Sequence, residues 1–278
     1  MLMIRFPFCK VHFYFESNDK KAINLIKKLF VHYIVENNID VLNEAIHIII
    51  RNDEDKIFIE CVNYDRFVVK SYTEMLGIIS YFTNLKDFFD TSKYYFLHCS
   101  LTILNNNAII LLGPTGNGKS TLTYGLCEHG FHYVTDDLLY YNKKTNNIYG
   151  FIKPMFIRSI DCILEYNWTK NIQELRKNII FYPDKSIRNY YLPKNIGLYK
   201  KNTYLNIYVL NRQENKNFSI EYNMNREEKI NESIVNTYVP SNLADNLKWS
   251  IILSNYSFSK IYYNDGRDVI NFFLNKYQ

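Results

Sequence analysis

The sequence predicts an α/β protein with a mixed central sheet and a small α+β domain in front of it. Three observations carry this prediction. An apolar run leads into a glycine-rich loop and then into a helical pattern between residues 108 and 129. Strand and helix patterns alternate after that unit. The first 90 residues carry strands and helices of their own. We therefore expect two domains, residues 1–90 and residues 91–278.

The first domain is predicted from short periodic segments. Ser17 and Asn18 offer an N-cap for a helix from about Asp19 to Glu36, in which apolar residues recur at helical spacing. The segment Ser71-Tyr-Thr-Glu74 fits a capping box and begins a second helix, which ends near Phe82. The predicted strands are 5–15, 45–51, 56–62 and 66–69. Nothing here carries visible chemistry, so the domain is expected to be a docking or accessory domain or an extension of the core sheet.

The glycine-rich loop follows the apolar residues 108–112 and has the spacing G-x-x-x-x-G-K-[ST]. Its glycines let successive backbone N–H groups turn inward around a phosphate, and the following helix adds the positive end of its dipole. In such a loop the lysine, here Lys119, reaches the β- and γ-phosphates, and the hydroxyl of Ser120 binds Mg²⁺. The alternative is a glycine turn that matches by chance. The residues expected to bind a nucleotide are Gly113, Pro114, Thr115, Gly116, Asn117, Gly118, Lys119, Ser120 and Thr121.

The elements around the loop follow from periodicity and turn residues. Residues 94–104 predict one strand, which the turn 105–107 joins to the strand before the loop as a hairpin. The helix after the loop runs to about His129 and stops at Gly130, a favourable C′ residue. The next strand, 131–135, ends at Asp136-Asp137. The later predictions are strands 138–142, 148–151, 154–160, 204–210, 218–222 and 260–263, and helices 172–180, 226–236, 242–253 and 268–277.

Composition excludes several classes of protein. The net charge is +5, and the basic residues are scattered as pairs, which argues against a nucleic-acid or membrane-binding surface. Five cysteines stand far apart without a C-x-x-C pair, so reduced thiols in the cytoplasm are expected, without zinc or a disulfide framework. No apolar run is long enough to span a membrane, and the N-terminus lacks the features of a signal peptide.

Motifs around the loop narrow the class of nucleotide-binding protein. No L-S-G-G-Q segment follows the loop, which argues against an ABC-type ATPase, and no N-K-x-D motif occurs, which argues against a GTPase. The carboxylates Asp136 and Asp137 come only seventeen residues after Lys119, at the end of the next strand. Most phosphate-loop enzymes place their metal-supporting aspartate on a more distant strand.

With these residues in place, the sequence resembles HPr kinase/phosphorylase. The matching segments are Leu97-His98-Cys-Ser-Leu, Gly113–Thr121 and Gly130-Phe-His-Tyr-Val-Thr-Asp-Asp137, within about residues 94–159. His98 lies fifteen residues before Gly113, and this spacing of histidine, loop and aspartate pair is the specific part. The resemblance implies a P-loop kinase domain of the HPr kinase/phosphoenolpyruvate-carboxykinase-like type, with ATP and Mg²⁺ as cofactors.

The resemblance also implies a role for each residue. Asp136 matches the general base, Asp137 the carboxylate that supports Mg²⁺ beside Ser120, and His98 the histidine next to the transferred phosphoryl group. Arg158 lies where related kinases carry a basic residue after a strand containing proline. The implied partner is a peptide or protein bearing a serine, and a homo-oligomer stays open because this family often assembles.

The chain departs from the family after the aspartate pair. The second glycine-rich signature of HPr kinases is absent, and residues 161–202 contain one glycine among many Tyr, Asn and Lys residues. We therefore expect a kinase for a different serine, with the precursor of a ribosomal peptide natural product as the leading substrate. Two alternatives stay open: a regulatory module that binds nucleotide without transfer, and a small-molecule kinase. An open groove lined by Tyr182, Tyr190, Tyr191 and Tyr199 would favour the peptide substrate.

Overall fold

The structure is a computed structural model that describes residues 1–35, 45–53, 55–158, 160–168, 179–181, 187–191, 193–200, 203–238 and 243–278. The chain forms two compact units. The first contains Met1–Asp90 and Gln173–Tyr190, and the second contains Thr91–Ile172 and Tyr191–Gln278. Residues 179–181 and 187–190, expected in the second domain, thus belong to the first unit. The accessory role of the first domain stays a prediction.

The helices and strands of the described residues have the following bounds. The strands are β1 (Leu2–Ile4), β2 (His12–Ser17), β3 (Ile34–Val35), β4 (Ala45–Asp53), β5 (Lys56–Cys61), β6 (Arg66–Val69), β7 (Tyr94–His98), β8 (Ser100–Leu104), β9 (Asn107–Leu112), β10 (His132–Thr135), β11 (Leu138–Asn142), β12 (Ile148–Gly150), β13 (Met155–Ile157), β14 (Ile179–Phe181), β15 (Ile187–Tyr191), β16 (Tyr204–Arg212), β17 (Ser219–Tyr222) and β18 (Ser257–Tyr263). The helices are α1 (Lys20–Leu29), α2 (Tyr72–Phe82), α3 (Lys119–Glu128), α4 (Asp161–Glu165), α5 (Arg226–Val235), α6 (Leu243–Ser254) and α7 (Gly266–Tyr277). None of these helices is long and apolar enough to cross a membrane.

The first unit is built on a six-stranded sheet in the order β3-β1-β2-β4-β5-β6, in which only β2 and β4 pair in parallel. Helix α2 begins where the capping residue Ser71 predicts, since the Ser71 hydroxyl accepts a hydrogen bond from the Glu74 N–H. Helix α1 is shorter than predicted. Its N-cap is Asp19, not Ser17 or Asn18, and it ends at Leu29, before a short 3₁₀ turn.

The second unit is built on a mixed sheet in the order β10-β8-β9-β16-β18-β17. Strand β16 pairs in parallel with both β9 and β18, and the remaining pairs are antiparallel. The apolar run 108–112 is buried because β9 lies inside this sheet. The predicted mixed α/β fold class is therefore confirmed at this level. The P-loop kinase type stays a prediction.

The predicted strand 94–104 is two strands, and this difference shapes the site. Strand β7 pairs with β11 in a second, three-stranded sheet, whereas β8 pairs with β9 and β10 in the mixed sheet. The chain passes from one sheet to the other at Cys99. The segment that pairs with it, β10 and β11, does the same at Asp136-Asp137. The two ladders share one antiparallel register, since Leu101 pairs with Thr135 and His98 with Leu138. Sequence periodicity does not show such an interruption within one apolar run. The hairpin of β8 and β9 is confirmed.

The elements after residue 200 agree with the predicted ones to within a few residues. Strands β16, β17 and β18 and helices α5, α6 and α7 all occur where periodicity indicated them. Strand β13 lies in the first half of the predicted strand 154–160. The predicted helix 172–180 lies outside the described residues up to residue 178, and its last two residues begin β14.

Candidate functional site

The glycine-rich loop joins the buried strand β9 to helix α3. Gly113, Gly116 and Gly118 have φ values of 139°, 96° and 70°, which residues with a Cβ rarely adopt. A Cβ on Gly113 would lie 2.8 Å from the Leu210 carbonyl oxygen, and one on Gly118 would lie 2.7 Å from the Tyr263 hydroxyl. The loop thus requires glycine at these two positions for conformation and for space. Its crest, residues 114–116, is exposed.

Helix α3 begins directly after the loop with Gly118 as its N-cap. Because glycine has no side chain, no capping group of this residue covers the N–H groups of the first turn. A helix N-terminus of this kind favours a bound anion through these N–H groups and through the helix dipole. The loop and the helix start therefore have the form that a phosphate group requires.

The Lys119 side chain lies along the loop and is buried, with 7% of the residue exposed. Its Nζ donates hydrogen bonds to the carbonyl oxygens of Gly113, at 2.6 Å, and Pro114, at 3.3 Å. An ammonium group has three N–H donors, so one remains for a ligand. Burial lowers the pKa of Lys119, and the charge of Arg158 adds to this effect, whereas Asp136 and Asp137 oppose it.

Asp136 is buried beside the start of helix α3. Its Oδ1 accepts a hydrogen bond of 2.7 Å from the Ser100 hydroxyl. Burial raises the pKa of Asp136 to about 6, although the Ser100 and Ser120 hydroxyls act in the opposite direction. The effect of Ser120 on this pKa shows that the carboxylate lies near the start of the loop helix.

Asp137 has different surroundings from its neighbour. Its Oδ2 lies 2.5 Å from the Nζ of Lys153, and its Oδ1 lies 3.2 Å from the Nδ1 of His98. His98 Nδ1 also lies 2.9 Å from the Asp137 carbonyl oxygen, and because both oxygens are acceptors this nitrogen carries the proton. Burial raises the pKa of Asp137, but Lys153 and His98 outweigh it and the net shift is downward. Asp137 therefore stays ionised at neutral pH.

The structure brings most of the predicted site residues together. Asp136 lies near enough to Lys119 and Ser120 for each pair to interact electrostatically, and His98 and Asp137 contact each other. Arg158 is exposed just after β13, and its charge acts on Lys119. The roles assigned to these residues stay predictions.

Four further residues at the site were not singled out from the sequence. Ser100 and Lys153 contact the aspartate pair. Asn236 accepts a hydrogen bond of 3.2 Å from the Gly113 N–H, and Tyr263 donates one of 2.8 Å to the Asn117 carbonyl. Asn236 and Tyr263 lie more than a hundred residues from the loop, so no local pattern could indicate them. Ser100 could have been found, because residues two apart along an extended run point to the same face, and Ser100 stands two residues after His98.

Two of the four tyrosines that would line a peptide groove have defined contacts in the second unit. Tyr191 donates a hydrogen bond to Glu128, its ring packs on Tyr124 at 4.9 Å between centroids, and Tyr199 donates to the Thr203 carbonyl. Tyr190 belongs to the first unit, and Tyr182 lies outside the described residues.

The donor atoms at the loop are those that Mg²⁺ binds. The Ser120 hydroxyl and the two carboxylates are oxygen donors, which suit a hard cation. Across the part of the chain that the structure describes, no group of three or more His, Cys, Asp or Glu side chains could hold a metal alone. Mg²⁺ is usually bound by one or two carboxylates together with substrate phosphates.

Comparison with known proteins gives little further information. No protein-family model matches the chain, and no curated protein matches it. Among solved structures, the chain is similar to the Hpr(Ser) kinase/phosphatase from Coxiella burnetii, with 11% sequence identity and a TM-score of 0.29. That match covers 65% of this chain and 89% of the other. A similarity at this level does not establish a shared fold.

Proposed function

We propose that this protein is an ATP- and Mg²⁺-dependent kinase that transfers the γ-phosphoryl group to a serine hydroxyl of a peptide or protein. The observation that carries the proposal is the position of the buried Asp136 carboxylate beside the glycine-rich loop. Its charge acts on Lys119 of that loop, and Ser120 of the same loop lowers the pKa of Asp136. Phosphoryl transfer needs positioned charges more than covalent chemistry, and this site offers such charges.

Each residue of the site has a proposed role in binding or in phosphoryl transfer. The backbone N–H groups of residues 113–121 and the remaining N–H of Lys119 would bind the phosphates. Ser120 and Asp137 would hold Mg²⁺, which neutralises charge on the phosphate oxygens. Asp136 would accept the proton of the acceptor hydroxyl, a role for which a pKa of about 6 is suitable near neutral pH. His98 and Arg158 would stabilise the charge on the transferred group.

The substrate class rests on the resemblance stated above. We propose the precursor of a ribosomal peptide natural product as the acceptor, with the first unit as its docking domain. No nucleic acid or membrane is proposed as a partner. A cytoplasmic location and a homo-oligomer are also kept as proposals, the latter to be tested by light scattering of the purified protein.

The experiment is incubation of the purified protein with γ-labelled ATP, Mg²⁺ and serine peptides, including any precursor encoded beside its gene, followed by mass measurement. We expect a phosphate-sized mass gain on serine that is lost in Asp136→Asn, while nucleotide binding persists. Asp90→Asn is the matched control, because Asp90 is also buried but belongs to the first unit. Transfer only to small alcohols would support a small-molecule kinase. ATP binding without any transfer would overturn the kinase proposal in favour of a regulatory module.

A further inference from the structure

Lys153 is a buried lysine at the site to which the roles above give no function. Only 3% of the residue is exposed, and its Nζ lies 2.5 Å from Oδ2 of Asp137. Lysine is almost never fully buried unless its charge is paired. The position of this ammonium group therefore depends on the Asp137 carboxylate.

The surroundings of Lys153 hold its ammonium group in place. The buried Tyr133 hydroxyl donates a hydrogen bond of 2.7 Å to the Lys153 carbonyl, which fixes the backbone. The Nζ lies 5.4 Å from the ring centroid of Phe151 and 5.3 Å from that of Phe156, distances typical of cation–π contacts. Pro154 restricts the backbone on the following side.

The contacts of Asp137 and Asp136 show what this lysine does to the pair. Both carboxylate oxygens of Asp137 have a cationic or N–H partner, Lys153 on Oδ2 and His98 on Oδ1. Asp136 instead accepts a hydrogen bond from the neutral hydroxyl of Ser100. Two adjacent carboxylates therefore differ in that only one is ion-paired with a buried ammonium group.

We propose that Lys153 is a positioning residue that fixes the Asp137 carboxylate and cancels its charge, so that the aspartate pair does not repel the phosphates of a nucleotide bound at the loop. This inference rests on the proposed function, because it assumes that a nucleotide binds at the loop. Like charges at close range in a partly buried site repel strongly, and an ATP polyanion that meets two uncompensated carboxylates would bind weakly. With Lys153 in place, Asp136 is the one carboxylate of the pair whose charge has no ammonium partner within hydrogen-bond distance among the described residues.

The test is a double-mutant cycle of Lys153→Met and Asp137→Asn, read out by chemical denaturation and by binding of ATP without Mg²⁺. Methionine keeps most of the buried volume of lysine and removes its charge. We expect Lys153→Met to lower the denaturation midpoint and to weaken ATP binding by about tenfold or more, because it leaves a carboxylate without its cation. The double variant restores charge balance, so we expect ATP affinity within about threefold of the wild type.

Lys143→Met is the matched control. Lys143 lies at the other end of β11, pairs with Asp245 at 3.2 Å and lies over the Tyr95 ring at 4.3 Å. It therefore has the same kinds of contact away from the loop, and we expect ATP affinity unchanged in this variant. Its denaturation midpoint measures the cost of losing a paired lysine in general.

The cycle also separates this inference from the proposed function. If Lys153→Met does not fold but the double variant does, the coupling is supported. If Lys153→Met is tolerated, or if Asp137→Asn does not compensate for it, Lys153 only packs between two phenylalanine rings and the inference is overturned. A wild-type protein that binds no nucleotide would overturn the proposed function, whereas the denaturation cycle would still decide whether Lys153 and Asp137 are coupled.

Discussion

Ser100 donates a hydrogen bond of 2.7 Å to Oδ1 of Asp136 from a fully buried position on β8. His98, two residues earlier on β7, contacts Asp137. The residues on the two sides of Cys99 thus contact the two aspartates separately. The shared register of the two ladders, in which Leu101 pairs with Thr135 and His98 with Leu138, places Ser100 opposite Asp136.

Ser100→Ala should shift the pH dependence of phosphoryl transfer. A hydrogen bond from Ser100 stabilises the charged form of Asp136, so its loss raises the pKa of this carboxyl above about 6. A general base must be deprotonated, so activity falls as pH drops through this pKa. We expect the acid limb of the kcat/KM profile to move up by about one pH unit, as measured by transfer rates between pH 5 and pH 8.

Thr102→Val is the control for this variant. Thr102 lies on the same strand, is buried, and its hydroxyl has no hydrogen-bond partner among the described residues. Its removal should leave the pH profile unchanged. An acid limb that stays in place in Ser100→Ala, or moves equally in Thr102→Val, would contradict the assignment of Asp136 as the base.

Neutralising Asp136 should stabilise the folded protein at pH 8, whereas neutralising Asp137 should destabilise it. The folded-state pKa of Asp136, about 6, lies above the unfolded value of 3.8, so its ionisation costs stability as pH rises between those values. Asp136→Asn removes that cost and keeps an acceptor for Ser100. At pH 8 it should raise the free energy of unfolding by as much as about 3 kcal/mol, from a shift of about two pKa units. Near pH 4 this gain should be largely absent.

Asp137→Asn should do the reverse. The folded-state pKa of Asp137 is lowered, so its contribution to stability is fully present above the unfolded pKa of 3.8 and is lost as pH falls through the folded value. The variant should therefore be less stable than the wild type at pH 8. Urea denaturation of both variants at pH 4 and pH 8 measures the contrast. Equal shifts for the two variants at pH 8 would show that their surroundings do not differ as described.

The sequence was informative where the structure depends on local chemistry. The loop, strand β9 and helix α3 were predictable because glycines, an apolar run and a C′ glycine, Gly130, stand at fixed spacings. The sequence did not reveal the division of residues 94–104 between two sheets, because both halves are equally apolar. It also did not indicate Lys153, since lysine is mostly exposed, and its burial involves Asp137 and two phenylalanine rings that come together only in the fold.

Lys119→Ala should weaken nucleotide binding and turnover together. The variant removes two hydrogen bonds that hold Gly113 and Pro114, and it removes the N–H that would reach the phosphates. Loss of one positioned donor typically costs on the order of 10²–10³-fold in turnover. Titration with a fluorescent nucleotide and single-turnover transfer rates measure the two effects. Lys143→Ala is a suitable comparison, and wild-type nucleotide affinity in Lys119→Ala would contradict the proposed function of the loop.

Tyr263→Phe tests whether the loop is held in shape by the neighbouring strand β18. The Tyr263 hydroxyl donates to the Asn117 carbonyl at 2.8 Å, and a Cβ on Gly118 would lie 2.7 Å from the same hydroxyl. Loss of this hydrogen bond should weaken ATP binding by roughly fivefold, the effect of about 1 kcal/mol.

Gly118→Ala should weaken ATP binding far more than Tyr263→Phe, because it adds a steric overlap to a φ of 70°. In the double variant, phenylalanine removes the overlapping oxygen while the φ strain remains. We therefore expect it to recover part of the affinity lost in Gly118→Ala, as measured by nucleotide titration. If the double variant recovers none, the Tyr263 hydroxyl is not what restricts position 118.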